Sequence, residues 1–350
     1  MSAAAPAPPW LVADIGGTNA RFGWVAARGA PVAQVRTLHT AEHADPIDAA
    51  QAYLEALAAE LGSDYRPPRA AAFAVATPIE GDRIAFTNSA WSFSRGAAER
   101  ALALDHLAVL NDFEALALSL PALQGAQLRV VGAVALAHAA RTGTPAQRAD
   151  VAARAVLGPG TGLGVAGLVH ADGRWVAVPG EGGHVTLAAG DDFESAVIAA
   201  ARREQRHVSA ERLLSGLGLP LLQRAVASVV GVAAAPASAE QIVAAAVSGD
   251  DALAARTIET FCALLGGFAG DVALVFGARG GVYVGGGIVP RLGALFDRSP
   301  FRARFEAKGR FEAYLRAVPT AVVVDTLAAL AGAATALAQR GARVRPGDAG

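Results

Sequence analysis

The chain is poor in cysteine, lysine and methionine. Among its 350 residues there is one cysteine, Cys262, and one lysine, Lys308. A single cysteine excludes an internal disulfide and a thiolate-rich metal site, and the apolar residues around Cys262 favour a small core residue over a nucleophile. A Walker-type phosphate loop needs a lysine inside its glycine turn, so that loop is excluded. A pyridoxal Schiff base would require Lys308, which lies in a segment that we expect to be exposed.

An excess of charge of one sign and uninterrupted apolar runs are also lacking. The formal net charge is -1, and charged residues make up 17% of the chain. This balance argues against a broad polyanion-binding surface, so nucleic acid is not an expected partner. Asp271 and Arg279 interrupt the longest apolar stretch, and the first residues lack the basic start and apolar core of a secretory signal. We therefore expect a cytoplasmic protein that makes no contact with a membrane.

The length and the order of predicted elements favour two domains of α/β type. A chain of 350 residues exceeds the size at which single cores usually stop growing. The first part predicts strands at 10–13, 20–25, 32–38 and 70–76, with helices at 46–61 and 94–104. A second strand, turn and strand begin near residue 156 and restart a similar order. Helices are then predicted at 192–203, 217–228, 239–247, 251–265 and 327–339, with strands at 281–284 and 321–324. We expect mixed sheets covered by helices, with the topology duplicated.

Two glycine-rich turns are the most informative segments. They are Asp-Ile-Gly-Gly-Thr-Asn at 14–19 and Gly-Pro-Gly-Thr-Gly-Leu-Gly at 158–164. Each turn lies between two short apolar runs, which is typical of a β-hairpin. Glycine lets the backbone approach a bulky anion, and the N–H groups of such a turn can donate to phosphate oxygens. Either turn alone fits an ordinary hairpin equally well, whereas the pair indicates a nucleotide site.

Asn111 and Asp112 follow an apolar strand and precede a predicted helix. The carboxyl ends of strands are where open α/β sheets bind ligands, so a carboxylate there could accept a proton from a hydroxyl that attacks phosphorus. The alternative is a helix N-cap, which is a common role for Asn and Asp. Asp14, at the end of the first strand, could hold hydrated Mg²⁺, or it could be a turn aspartate that binds its own backbone.

Three further polar or glycine-rich groups are candidates for ligand contacts. Glu181 and His184 lie among glycines, and Glu211 follows Ser209. Carboxylates and imidazole suit the hydroxyls of a polyol, whereas a zinc site is a poorer interpretation because further ligands at metal spacing are missing. The glycines at 285–287 could lie against an adenine or ribose, or they could mark a crowded crossing of a strand and a helix.

Together these motifs resemble the bacterial ATP-dependent glucokinases of the proteobacterial type, within the hexokinase, actin and heat-shock chaperone superfamily. The resemblance runs from Leu11 to the last predicted helix. It is carried by the two turns and by Thr-Asn-Ser-Ala-Trp at 87–91, Asn-Asp-Phe at 111–113, Gly-Glu-Gly-Gly-His at 180–184, His-Val-Ser-Ala-Glu-Arg at 207–212 and Gly-Gly-Gly-Ile-Val-Pro at 285–290. Each motif is modest alone, and the ordered set is specific.

The resemblance implies a two-domain actin-like ATPase (ribonuclease H-like) fold around a central cleft. The small α/β domain would comprise residues 10–121 and 322–340, and the larger α+β domain residues 122–321. Residues 1–9 would be a disordered extension and residues 341–350 a loose tail.

The resemblance also implies the activity and the site. A glucokinase, a glycolytic phosphotransferase, moves the γ-phosphoryl group of MgATP to the 6-hydroxyl of glucose, giving glucose 6-phosphate and ADP, and relatives suggest a homodimer. Asp112 would be the catalytic base, and Asp14 would hold Mg²⁺ through water. Glucose would be bound by Asn111, Asp112, Glu181, His184 and Glu211. ATP would be bound by Ala13, Asp14, Ile15, Gly16, Gly17, Thr18, Gly160, Thr161, Gly162, Gly285, Gly286 and Gly287.

Some features depart from this family, and other functions stay open. The cysteine-rich zinc motif of the other large bacterial sugar-kinase family is absent from the sequence. Where relatives often carry Asn-Pro-Gly, this chain has Asp-Thr-Leu-Ala at 325–328, so no nucleotide contact is assigned there. The alternatives are a kinase for another hexose such as mannose or fructose, an ATP-driven binding module, and a sugar sensor that has lost catalysis.

Overall fold

The structure is a computed structural model that describes residues 8–86, 90–133 and 152–341. Most of the predicted extension and tail, and residues 87–89 of the Thr-Asn-Ser-Ala-Trp motif, lie outside these ranges. The chain divides into two compact units. The first unit runs to Leu123 and resumes at Thr326, and the second unit is Gln124–Asp325.

The strands of the first unit are β1 (Trp10–Ile15), β2 (Asn19–Val25), β3 (Ala33–His39), β4 (Ala70–Val75), β5 (Arg83–Ala85), β6 (Ser92–Ser94) and β7 (His106–Asn111). Those of the second unit are β8 (Leu128–Val131), β9 (Arg154–Pro159), β10 (Leu163–Ala171), β11 (Arg174–Gly180), β12 (Val282–Val284) and β13 (Thr320–Val323).

The helices begin with α1 (Pro46–Leu61), α2 (Arg95–Ala101) and α3 (Asp112–Ser119) in the first unit. The second unit contains α4 (Asp192–Ala201), α5 (Ala210–Leu213), α6 (Leu219–Val230), α7 (Ala239–Ser248), α8 (Ala252–Phe276), α9 (Ile288–Leu292), α10 (Ala294–Asp297), α11 (Phe301–Glu306) and α12 (Glu312–Arg316). The last helix, α13 (Ala328–Gly341), returns to the first unit.

The main sheet of the first unit brings the ends of three strands to one edge. Its order is β3-β2-β1-β4-β7, with β1, β4 and β7 parallel. Ile15 pairs with Val75, and Val75 pairs with Asn111, so the three carboxyl ends are level. This register places the residues that follow β1 and β7 on the same side of the sheet.

The sheet of the second unit repeats the pattern of a hairpin followed by parallel strands. Its order is β11-β10-β9-β12-β13-β8, and β9, β12 and β13 are parallel. The predicted duplication of topology is therefore confirmed. The sequence did not predict β8, which pairs antiparallel with β13 at the edge.

Two helices of the first unit, α3 and α13, pack at close range through a glycine. A Cβ atom added at Gly332 in α13 would lie 1.7 Å from the carbonyl oxygen of Ala115 in α3. Any larger residue would push the two backbones apart. Because α3 begins at Asp112, the last helix of the chain helps to fix the position of that residue.

The prediction that the helix beginning near residue 251 ends at Leu265 was wrong, because α8 continues to Phe276. Gly266 and Gly270 lie inside it, where a Cβ atom would come within 2.1 Å of the Phe301 carbonyl oxygen and 2.6 Å of the Phe305 carbonyl oxygen. These glycines allow α11 to approach α8, so they mark packing and not a helix end.

The surroundings of α8 agree with a core helix. Its most apolar window has a mean hydropathy of 1.6, enough by length and composition for a membrane span, but 67% of that window is buried inside the protein. Cys262 is fully buried in this helix, and burial raises the pKa of its thiol to about 12. The thiol is therefore an unreactive core group, as predicted. The segment around Lys308 is exposed at Ala307, Gly309 and Arg310, as predicted. Lys308 itself is half-buried, and its Nζ lies 2.6 Å from Oδ1 of Asp271 in α8.

Candidate active site

The first glycine turn is held from behind by Thr40. The N–H of Gly16 closes the turn on the carbonyl oxygen of Asn19 at 2.9 Å. The N–H of Thr40 donates to the carbonyl oxygen of Thr18 at 3.0 Å, and its hydroxyl donates to that of Gly17 at 2.8 Å. These bonds draw the carbonyl groups toward Thr40. Within the described ranges, the exposed N–H groups of Gly17 and Thr18 have no hydrogen-bond partner in the protein, and they suit an incoming anion.

Asp14 lies at the end of β1, directly before this turn. Its side chain is 21% exposed, and Oδ2 lies 3.4 Å from Nη1 of Arg21 on the neighbouring strand β2. Burial raises the pKa of the Asp14 carboxyl, while the Arg21 charge opposes that effect. Ala13 and Ile15 on either side are fully buried within β1, which pairs with β2 on one side and β4 on the other.

Asn111 and Asp112 occupy the matching place at the end of β7. Oδ1 of Asn111 accepts from the N–H of Phe113 at 2.9 Å, so the capping alternative is confirmed for Asn111. Oδ1 of Asp112 accepts from the same N–H at 3.0 Å. Burial, with a smaller contribution from the negative charge of Asp14, raises the pKa of Asp112 to about 7. A carboxyl with this pKa is suited to accept a proton near neutral pH.

The backbone of the second glycine turn is hydrogen-bonded to a carboxylate from another segment. The N–H of Gly160 closes the turn on the carbonyl oxygen of Gly162 at 2.9 Å. Oε2 of Glu211, which lies in α5, accepts from the N–H of Leu163 at 2.9 Å. Thr161 and Glu211 also line a cavity of about 200 Å³. The sequence did not predict this contact between Glu211 and the turn.

Glu181 and His184 lie beside the same carboxylate. Nε2 of His184 is 3.9 Å from Oε2 of Glu181 and 4.0 Å from Oε1 of Glu211. A bridge between Thr186 and Ser209 joins the two chain segments and accounts for the convergence. The spacing is too long for direct hydrogen bonds, so ligand hydroxyls can bind between the groups. The described residues contain no cluster of three or more potential metal ligands, so nothing here favours the zinc alternative.

The three glycines at 285–287 have different surroundings. The N–H of Gly285 continues the sheet by donating to the carbonyl oxygen of Leu157 at 2.8 Å. Gly286 has φ +77°, and a Cβ there would lie 2.4 Å from the Pro159 carbonyl oxygen, which is the crowded crossing given as the alternative. A Cβ at Gly287 would meet nothing within 4 Å, so this position is open to a ligand.

The predicted residues therefore form two groups, one in each unit. Asp14, the first turn, Asn111 and Asp112 share an edge of the first sheet. The second turn, Glu181, His184 and Glu211 lie together in the second unit. Thr40 was not predicted as a site residue, because its contact with the turn spans 23 positions and leaves no local pattern. Arg21, the partner of Asp14, was not predicted as a site residue either.

Comparison with known proteins gives consistent results. The family model described as Glucokinase matches residues 11–340. A glucokinase of Aromatoleum aromaticum is 46% identical over 329 residues, covering 94% of each chain. A bifunctional protein glk of Burkholderia pseudomallei is 46% identical over 95% of this chain, which spans only 49% of that relative.

A solved structure supports the fold. The glucokinase from an Antarctic psychrotroph has a TM-score of 0.83 and 36% identity, covering 95% of this chain and 99% of the other. The predicted α/β fold of the actin-like ATPase type is therefore confirmed.

Proposed function

The chain belongs to the glucokinase family, and from that premise we propose that it transfers the γ-phosphoryl group of ATP to the 6-hydroxyl of glucose. The products are glucose 6-phosphate and ADP. The single observation that carries the chemistry is the position of Asp112. Its carboxyl, with a pKa of about 7, follows β7 at the sheet edge where the first glycine turn follows β1. A base beside an anion-binding turn is the arrangement that phosphoryl transfer requires.

Asp112 acts as the catalytic base in this reaction. Its carboxylate accepts the proton of the 6-hydroxyl as the hydroxyl oxygen forms a bond to the γ-phosphorus. The bond from that phosphorus to the oxygen it shares with the β-phosphate breaks, and ADP leaves with the electron pair. The contact of Oδ1 with the N–H of Phe113 at 3.0 Å orients the carboxylate and leaves Oδ2 for the proton.

The phosphates are bound without any lysine near the first turn. The N–H groups of Gly17 and Thr18 donate to phosphate oxygens. In the second turn the N–H of Thr161 donates as well, while Gly160, whose own N–H closes the turn on Gly162, lets the backbone lie close to the phosphates. The Asp14 carboxylate pairs with Arg21 at 3.4 Å, and its oxygen chemistry suits hydrated Mg²⁺. When bound, Mg²⁺ would offset the negative charge on the phosphates.

Glucose is bound by groups that match its hydroxyls. Glu181 and Glu211 accept from sugar hydroxyls, while His184, 3.9 Å and 4.0 Å from the two carboxylates, can donate or accept. Oδ1 of Asn111 is engaged by the helix it caps, so its amide nitrogen is the group shared between the Asp112 carboxylate and the sugar. The glycines at 285–287 would contact the adenosine of ATP, and Gly287 is the one with free space around its Cα.

We further propose that the two units are the two domains of this kinase, which works as a cytoplasmic homodimer in glycolysis. The support for the dimer is the resemblance to the glucokinase family, which implies it, and the support for the compartment is the interrupted apolar stretches and the balanced net charge of -1. Light scattering on the purified protein measures the assembly directly, and a monomer at micromolar concentration would contradict the dimer.

The test of function is a coupled assay for sugar phosphate, run with ATP across glucose, mannose and fructose. We expect the highest kcat/KM with glucose. A higher value with mannose or fructose would identify a kinase for another hexose. ATP hydrolysis that does not depend on any sugar would instead favour the ATP-driven binding module.

A further inference from the structure

Two glycines of the second turn differ sharply in their surroundings. A Cβ atom added at Gly160 would meet nothing within 4 Å, whereas one added at Gly162 would lie 2.4 Å from Oε2 of Glu211. Neither residue has the positive φ that favours glycine over other residues. The difference therefore comes from space alone, and at Gly162 the space is filled by a carboxylate.

We propose that Gly162 is a positioning residue for sugar binding, although it belongs to a turn whose motif points to nucleotide. The absence of a side chain at Gly162 lets the Glu211 carboxylate lie against the turn and accept from the N–H of Leu163 at 2.9 Å. This inference rests on the proposed function, because it assumes that Glu211 binds a sugar hydroxyl.

The geometry predicts what a methyl group at position 162 would do. Ordinary contact begins at 3.4 Å, so Oε2 would have to withdraw from its 2.4 Å position by about 1 Å. That movement would lengthen the 2.9 Å bond to Leu163 beyond hydrogen-bond range. Oε1 of Glu211 would move with Oε2. This would change the 4.0 Å distance from Oε1 to Nε2 of His184, and the sugar would bind between these two groups.

A methyl group at position 162 should disturb the sugar site without lowering the stability of the fold. The crowded atom is the end of a flexible side chain, and Glu211 is 32% exposed, so the carboxylate can swing away without moving the backbone. By contrast, a methyl group at Gly286 would meet the backbone of Pro159. Gly162→Ala is therefore expected to fold normally and to bind sugar poorly.

The experiment compares Gly162→Ala with Gly160→Ala, its matched control in the same turn. We expect Gly162→Ala to raise the KM for glucose by about tenfold, the size of one lost charge-assisted hydrogen bond, with a much smaller change in the KM for ATP. Gly160→Ala is expected to leave the KM for glucose within about twofold of the wild-type value, whatever it does to the KM for ATP. Thermal unfolding of both variants measures their stability.

A second pair of variants tests whether the effect passes through Glu211. In a Glu211→Ala background the methyl group at 162 has room, so Gly162→Ala should produce no further fall in kcat/KM for glucose. This double variant also folds if crowding alone prevents the single variant from folding. If Gly162→Ala lowered kcat/KM for glucose in the Glu211→Ala background by the same factor as in the wild-type background, the inference would be overturned.

Two other outcomes would also overturn it: equal effects of the two glycine variants on the KM for glucose, or an effect of Gly162→Ala confined to ATP. Failure of the proposed function looks different. In that case the wild-type chain phosphorylates no hexose, or Glu211→Gln leaves the KM for glucose unchanged.

Discussion

The two glycine turns are both glycine-rich, but different side chains contact their backbones. The first is fixed by Thr40, whose hydroxyl donates to the carbonyl oxygen of Gly17 and whose backbone N–H donates to that of Thr18, which leaves the N–H groups of Gly17 and Thr18 exposed. The second has a carboxylate bound to the N–H of Leu163. An anion is thus attracted by the free amides of the first turn, whereas at the second it meets an amide already engaged by Glu211. Glycine spacing predicts a hairpin, but the neighbouring side chains decide its ligand.

The glycines themselves show the same contrast. A Cβ at Gly16 in the first turn would make an ordinary contact of 3.5 Å with the Asn19 carbonyl oxygen, whereas one at Gly162 would meet Glu211 at 2.4 Å. Folding alone therefore permits a side chain at Gly16, and approach of an anion is the reason left for glycine there. At Gly162 the protein's own carboxylate supplies the reason.

The largest expected effect belongs to Asp112, the carboxylate at the end of β7. Asp112→Asn should lower kcat by a factor of about 10² to 10⁴ because the base is lost, while the KM for glucose stays within about tenfold. Steady-state kinetics with ATP and glucose measure both constants. Unchanged turnover would remove Asp112 from the role of base.

The carboxylate on the second turn should act mainly on binding. Glu211→Gln keeps the shape but loses the charge, so we expect the KM for glucose to rise by about 10 to 100 fold with a smaller change in kcat. The KM for ATP serves as the internal control. A variant that lost kcat but kept the KM for glucose would show that both turns serve the chemical step, and the contrast between them would fail.

Thr40 should matter for the nucleotide and not for the sugar. Thr40→Val keeps the size of the side chain but removes the hydroxyl that binds the Gly17 carbonyl oxygen at 2.8 Å. Loss of one neutral hydrogen bond, worth about 1 kcal/mol, should raise the KM for ATP by about fivefold. Thr40→Ser retains the hydroxyl and should restore the wild-type value. A rise in the KM for glucose instead would place Thr40 with the sugar.

The smallest effect is on heat stability and depends on pH. The pKa of Asp112 is raised from 3.8 to about 7 by burial, so the folded state favours its protonated form. The stability contributed by that form is complete below pH 3.8 and is lost as pH rises through about 7. Asp112→Asn removes this loss, so its Tm at pH 8 should exceed that of the wild type by about 2 °C or more. At pH 5 the gap should shrink, and an equal gap at both values would contradict the raised pKa.

Local signals were enough for several elements. Asp45 before Pro46 predicted α1 with its observed bounds, and Oδ1 of Asp45 caps the helix by accepting from the N–H groups of Ile47 and Asp48. The apolar run before Asn111 predicted a strand end, where β7 ends. Both features depend on neighbours in sequence, so both can be read from it.

Contacts between distant segments were not predictable in this way. The full length of α8 depends on Gly266 and Gly270 facing the carbonyl groups of Phe301 and Phe305. The position of the Glu211 carboxylate at the second turn depends on the N–H of Leu163, which is 48 positions away. Such contacts leave no periodic pattern, so a sequence can supply the residues of this site without showing which of them touch.

The close packing of Gly332 on Ala115 has a consequence for how the molecule is made. The helix that begins with Asp112 packs against α13, which is more than two hundred residues further along the chain. The packing of the first unit is therefore finished only after the whole of the second unit has been synthesised. A nascent chain stalled before residue 328 should bind sugar weakly and phosphorylate none of it.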